Sequence, residues 1–198
     1  MKKLLITGFE PFGGETVNPS WEAVLRLPDE MNGYALTRLL IPVVFGAGAD
    51  RVIAAAETVD PDVILCVGQA GGRDAMTPEY VGINLRHASI PDNAGALPCD
   101  EQICSGGATA YFSTLPVRRM AEAIKAAGIS SRVSYSAGAY VCNDVLYTLL
   151  DRYRDSTTRV GFIHVPYCTE QGKEPSMPLE EMVRGLALAI TQLDDESI

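Results

Sequence analysis

Cys142 lies in the segment Ser136-Ala137-Gly138-Ala139-Tyr140-Val141-Cys142-Asn143-Asp144, where small residues give way to a helical pattern. A thiol near a helix N-terminus faces the positive end of the macrodipole and amide groups that have no intrahelical partner. Both favour the thiolate, the nucleophilic form, and the same amides can receive an oxyanion. Asp144 acts in the opposite sense if its carboxylate lies close to the sulfur. Position alone fits better a small buried hydrophobe on an amphipathic helix, the commoner fate of a free cysteine. Cys66 falls mid-strand, Cys99 and Cys104 in a long irregular stretch, and Cys168 after a strand, which makes them weaker candidates.

His164 lies near the end of Gly161-Phe162-Ile163-His164-Val165-Pro166-Tyr167. The C-terminal edge of a parallel sheet is where α/β proteins usually hold their sites, so this histidine is either a satisfied core residue or a functional one at that edge. Cys142 reaches the same edge one strand–helix unit earlier, which makes a Cys–His pair geometrically natural. Glu79 opens another predicted strand, after the turn Gly68-Gln69-Ala70-Gly71-Gly72-Arg73. It is either a solvated strand end or the carboxylate that orients the histidine. The turn itself lacks the spacing and the following helix of a phosphate-binding fingerprint. Phe9 and Phe12 leave the first strand at the same edge and could supply an apolar slot for a small ring.

The elements that must position these residues alternate in type. Strands are predicted over Lys3–Phe9, Tyr34–Val43, Asp62–Gly68, Glu79–Arg86, Arg132–Ser136 and Arg159–Val165. Helices are predicted after Asn18-Pro19, with Trp21, Val24 and Leu25 on one face, and over Ala47–Val59, Pro116–Ala127 and Val141–Tyr153. A last helix carries the stripe Leu179, Met182, Val183, Leu186, Ala187 and Ile190. His87 to Gly107 reads as an irregular loop of a length that is often functional. The alternation implies an α/β fold, a three-layer α/β/α sandwich on a largely parallel sheet, with residues 1–198 as one domain.

A net charge of -9 with no Lys/Arg block argues against a nucleic-acid or anionic-membrane partner. The apolar run at Leu4-Leu5-Ile6 is too short for a signal peptide, and no stretch approaches the roughly 20 apolar residues of a membrane span. Five cysteines without a compact framework fit a reducing, cytoplasmic setting. With only His87 and His164 as histidines and no C-x-x-C motif, a Cys/His zinc site has little support, and no metal is expected.

Several segments together resemble the pyroglutamyl peptidase (pyrrolidone-carboxylate peptidase) family. They are Thr7 to Glu15 with Asn18-Pro19-Ser20-Trp21, Gly68 to Arg73 running on to Pro78-Glu79, Ile90-Pro91-Asp92-Asn93, Ser136 through Asn143, and Gly161 to Tyr167 with Glu170-Gln171. The segments occur in the family's order and span nearly the whole chain. The resemblance implies a fold like that of purine nucleoside phosphorylases and a cofactor-free cysteine peptidase acting on peptides with an N-terminal pyroglutamate. It also implies a homo-oligomer, a tetramer by analogy. It assigns the nucleophile to Cys142, the base to His164, the orienting acid to Glu79, the substrate-ring aromatics to Phe9 and Phe12, and a pocket position to Gln69.

The chain departs from the family pattern where Ser89 replaces the usual arginine before Ile-Pro-Asp-Asn, where Tyr80 replaces the arginine after the glutamate, and where Asp144 replaces a common histidine. A lost cation and a gained anion would both raise a nearby thiol pKa. These departures leave open a non-catalytic relative that binds capped peptide N-termini. Fold analogy alone adds a nucleosidase- or phosphorylase-like enzyme.

Overall fold

The computed structural model describes residues 1–194. The chain runs β1 (Lys2–Phe9), α1 (Pro19–Leu25), β2 (Glu30–Met31), β3 (Tyr34–Ile41), α2 (Ala47–Val59), β4 (Val63–Gln69), β5 (Thr77–Pro78), β6 (Val81–Ile83) and β7 (Ala110–Phe112). It continues through α3 (Val117–Ala126), α4 (Val141–Tyr153), β8 (Arg159–Val165), β9 (Tyr167–Cys168), β10 (Ser176–Met177) and α5 (Leu179–Ile190). The main sheet has the order β2-β3-β1-β4-β8-β5. Its four long strands are parallel, with β2 and β5 added antiparallel at the edges.

Alternation along the strands splits the core into two layers. Leu4 and Ile6 of β1, Val63, Leu65 and Val67 of β4, and Ile163 and Val165 of β8 pack with residues of α1, α3 and α5. Leu5, Ile64, Cys66, Val160 and Phe162 pack on the other face with α2 and α4. The period of two therefore turns Gly68 and His164, at the ends of their strands, toward the α4 face.

Two clamps fix the elements near that edge. Asn18 accepts from the Ser20 amide at 3.1 Å, so the N-cap expected at Asn18-Pro19 is present. The buried Asn143 side chain accepts from Ile83 N at 2.9 Å and donates to Ile83 O at 2.9 Å and to Leu85 O at 3.0 Å, which locks α4 onto β6.

Several sequence expectations need correction. Glu79–Arg86 is not one strand: the Glu79 amide donates to Phe162 O at 2.9 Å, whereas the Tyr80 amide turns away to Ser134 O at 2.7 Å. Thr77–Pro78 thereby joins the main sheet, and Val81–Ile83 joins a hairpin with β7. Arg132–Ser136 forms no strand: it holds one isolated parallel bridge at Ser134, with another just before it at Ser131, since it runs beside the segment that holds Pro78, which has no amide to donate. Leu25 is 47% exposed; α1 ends there, and Ala23 and Val24 carry its buried face.

Asn143→Ala leaves the Ile83 amide and the Leu85 carbonyl without their partner, at about 1–3 kcal/mol each, while Ile83 O keeps the Leu85 amide. The expected outcome is a clear drop in the urea midpoint at unchanged m-value; an unmoved midpoint would remove the clamp from the account.

Candidate active site

The register of β4 and β8 sets Gly68 beside His164 as direct partners. Cys142, the second residue of α4, lies over this pair. A Cβ built on Gly68 would stand 2.9 Å from the Cys142 Sγ and 2.7 Å from the Phe162 ring, closer than packed atoms approach. The absence of a side chain at position 68 is thus what admits the sulfur to the strand end that also carries His164. Within α4 the first i→i−4 bond runs from the Asp144 amide to Tyr140 O at 3.1 Å. The amides of Val141, Cys142 and Asn143 precede it and have no role in the helical ladder.

His164 is buried, and its Nδ1 lies 2.7 Å from Glu79 Oε1. The carboxylate accepts the Nδ1 proton, which leaves Nε2 as the basic nitrogen. Glu79 is 0% exposed and receives a second bond on the same oxygen from Arg73 Nη1 at 2.6 Å. Arg73 also donates to Thr77 Oγ1, and through Nη2 to Ser136 O at 2.9 Å. The sequence presents Arg73 only as the end of a glycine-rich turn; its partnership with Glu79 depends on how that turn folds back over β5.

Burial pushes the Cys142 thiol up to about 12, with the charge of Glu79 and the neighbouring Cys66 adding to the shift and Arg73 opposing it. Burial beside Gly68, Phe162 and Cys66 thus acts against the helix amides, which favour the thiolate. Burial likewise holds His164 below its ordinary value against the bond to Glu79. For Glu79, burial acts upward, but the bond to His164, Ser134 and Arg73 together hold the carboxyl below its usual value. The resting site is a neutral thiol, a neutral imidazole and an ionised carboxylate.

Asp144 does not burden the thiol. Its buried carboxylate accepts from Arg86 Nε at 2.5 Å and from the Gly46 amide at 2.7 Å, so its charge is neutralised inside α4's own packing. Arg86 thus serves Asp144 rather than the space beside Ser89, which is exposed. Tyr80 stacks with Phe112 and Tyr135, at centroid distances of 5.3 and 5.6 Å, with Arg118 over its ring.

Phe9, Phe12 and Cys142 belong to one apolar cluster. The Phe9 ring is 2% exposed and lies against Phe162, which in turn contacts the His164 ring at 4.7 Å. Phe12 is half-buried against Tyr140 at 6.2 Å. Gln69 ends β4 one residue beyond Gly68, and its Oε1 accepts from Gln171 Nε2 at 3.0 Å. Gln171 also donates to Glu15, which is paired with Lys173. The Asp92-Asn93 motif is structural: Asp92 accepts from the amides of Phe45, Ala94 and Ala96, and Asn93 donates to Glu10 and to Pro11 O.

A thiol, an imidazole and a buried carboxylate converging on one sheet edge, with free helix amides beside the sulfur, are the parts of a cysteine hydrolase. The profile of the pyroglutamyl peptidase family matches residues 2–196. The chain is 50% identical over 194 residues to a pyrrolidone-carboxylate peptidase of Levilactobacillus brevis, covering 95% of each. To the pyrrolidone-carboxylate peptidase of Erwinia tasmaniensis it is 47% identical over 196 residues, covering 96% of this chain and 92% of that one. The crystal structure of Bacillus amyloliquefaciens pyroglutamyl peptidase I aligns with a TM-score of 0.94 at 44% identity over 100% of both chains. The pyrrolidone carboxyl peptidase from Thermococcus litoralis aligns at 0.92 and 36% identity, covering 98% of this chain and 94% of that one. The chain belongs to the pyroglutamyl peptidase family.

Gly68→Ala should displace the sulfur. Iodoacetamide labelling of Cys142 is expected to fall at least about tenfold, with an overpacking penalty of about 1–3 kcal/mol; labelling at the wild-type rate would show that the close approach has no consequence. The acid limb of kcat/KM belongs below the ordinary imidazole value of about 6.5, because burial disfavours the imidazolium. Arg73→Ala removes a cation that opposes that imidazolium, so the limb should move up in pH, whereas Arg73→Lys should leave it near its place. A limb unmoved by Arg73→Ala would reduce Arg73 to a structural support.

Proposed function

We propose that the protein is a cysteine exopeptidase that hydrolyses the amide bond after an N-terminal pyroglutamate, with residues 1–198 acting as one catalytic domain. The observation that carries this reading is the buried His164–Glu79 pair on the strand end over which the Cys142 sulfur lies.

His164 Nε2 takes the Cys142 proton as the sulfur attacks the pyroglutamyl carbonyl carbon. A neutral thiol and a neutral imidazole suit this order, since the proton moves in the attack and no buried ion pair has to persist beforehand. The C–S bond forms as the carbonyl π bond yields an oxyanion, which the amides at the start of α4, that of Cys142 included, receive. Collapse breaks the C–N bond, and the imidazolium gives its proton to the leaving amine. Water, deprotonated by His164, then hydrolyses the thioester and restores the thiol. Glu79 holds the imidazole in one tautomer and stabilises its charged form.

The specificity follows from a charge that pyroglutamate lacks. A flat lactam suits an apolar site formed by Phe9 and Phe12, with Gln69 at its polar end. An uncyclised N-terminal residue would bring an ammonium group into that site, and burying an unpaired charge is costly. No cofactor takes part in this sequence of steps. The reading also includes a homotetramer and a cytoplasmic location, supported by the likeness to the family and, for the location, by unpaired cysteines; among the described residues no helix is long and apolar enough to cross a membrane.

Hydrolysis of a fluorogenic pyroglutamyl amide tests the reading. Cys142→Ser and His164→Ala are expected to abolish turnover with the fold intact, and Glu79→Gln to lower kcat by about 10²–10⁴. Substantial turnover by folded Cys142→Ser would overturn the assignment. Tight binding of a pyroglutamyl peptide by the wild-type chain with no product would favour a binding protein instead.

A further inference from the structure

The irregular segment between β6 and β7 folds back on itself. Arg86 N donates to Glu101 O at 2.7 Å, Glu101 N to Arg86 O at 3.0 Å, and Ala88 N to Pro98 O at 2.9 Å. This antiparallel bridge carries His87 to a position opposite Cys99 and Asp100, which are a dozen residues further along the chain. His87 Nδ1 lies 2.9 Å from Asp100 Oδ1, and with the Cys99 sulfur the three ligand atoms all fall within 4.8 Å of one another. None of the three takes part in the chemistry at Cys142.

We propose that His87, Cys99 and Asp100 form a binding site for a divalent first-row transition ion, zinc(II) foremost, with a fourth position open to water. Imidazole nitrogen, thiolate sulfur and carboxylate oxygen each bind zinc at roughly 2.0–2.3 Å, which in a tetrahedral site sets neighbouring ligand atoms about 3.5 Å apart. The three side chains are exposed, so small rotations bring them to that spacing without disturbing the core. The Cys99 thiol loses its proton to solvent as the S–metal bond forms, and thiolate plus carboxylate then balance the two positive charges of the ion. The chain's net charge of -9 adds a favourable field for a cation.

The ligand set also selects. Magnesium and calcium prefer all-oxygen shells and gain little from a sulfur and an imidazole. An exposed His–Asp hydrogen bond explains two of the three groups but gives the cysteine no part, and such surface pairs contribute little stability. The bound ion would cross-link the two arms of the loop. The same loop holds the chain ahead of α4, through His87 N to Ala139 O at 2.9 Å and Tyr140 OH to Pro91 O at 3.0 Å. Its role is structural, as a clip on a long irregular segment.

Cobalt(II) titration of the full-length chain, reduced and freed of metal by chelation, tests the site, with zinc(II) affinity read by competition against a chromophoric chelator. The expected result is one equivalent of cobalt with a thiolate-to-cobalt charge-transfer band and the ligand-field intensity of a four-coordinate ion. Both should persist in Cys142→Ser, which removes the other accessible thiol–imidazole site. His87→Ala and Cys99→Ser should each weaken zinc by at least the ~10- to 100-fold that loss of an outer-shell partner already brings, with far-UV circular dichroism and peptidase turnover unchanged; Asp100→Asn provides a third, isosteric check. Absence of the charge-transfer band in the wild-type chain overturns the proposal. So does a band that survives Cys99→Ser and disappears in Cys142→Ser, which would place the ion at the catalytic thiol.

Discussion

The Glu79 carboxylate is fully buried, and a full negative charge in that position persists because His164 and Arg73 both donate to one of its oxygens and Ser134 adds to their effect. An isolated ionised carboxylate would neutralise itself by taking up a proton. The arrangement therefore requires β5 to lie along β8, the glycine-rich turn after β4 to fold back so that Arg73 reaches in, and the Ser134–Ser136 segment to run alongside. Three separate stretches of chain are committed to solvating one charge. In return that charge fixes the tautomer of His164 and leaves Nε2 as its basic nitrogen.

The second constraint is steric. Packing α4 on the sheet close enough to lay a sulfur on a strand end demands that the strand have no side chain there, and Gly68 meets the demand. The Asn143 clamp holds the helix in that place from the other side. The two constraints act on adjacent strands in fixed register, which is why Cys142 and His164 come to neighbouring strand ends although 22 positions and a strand–helix unit lie between them in sequence.

Electrostatics and sterics pull against each other at Cys142. Close packing against Gly68 and Phe162 places the sulfur well but dehydrates it, and the dehydration outweighs the helix amides and Arg73. The thiol is thus favoured over the thiolate. The acidic residue beside the thiol is handled separately, since Asp144 turns into the protein to Arg86 and the Gly46 amide and leaves the sulfur's surroundings without its field.

Much of this was legible in the sequence. The α2, α4 and β8 boundaries and the Asn18 cap follow from period and capping chemistry, because local hydrophobic patterning decides those elements. Cys142 and His164 are candidates by residue type and position in the α/β alternation, whereas Glu79 is singled out only by the likeness to the family. The tertiary structure alone decided what depends on contacts between distant segments. It split Glu79–Arg86 between two sheets, because the Glu79 and Tyr80 amides find partners on opposite sides. It turned Asp144 inward and gave Arg73 to Glu79, and it brought His87 across a hairpin to Cys99 and Asp100. Side-chain type and spacing set which groups are available at the sheet edge. Which of them touch, and hence which charges are raised, lowered or cancelled, is a property of packing between segments that local pattern does not encode.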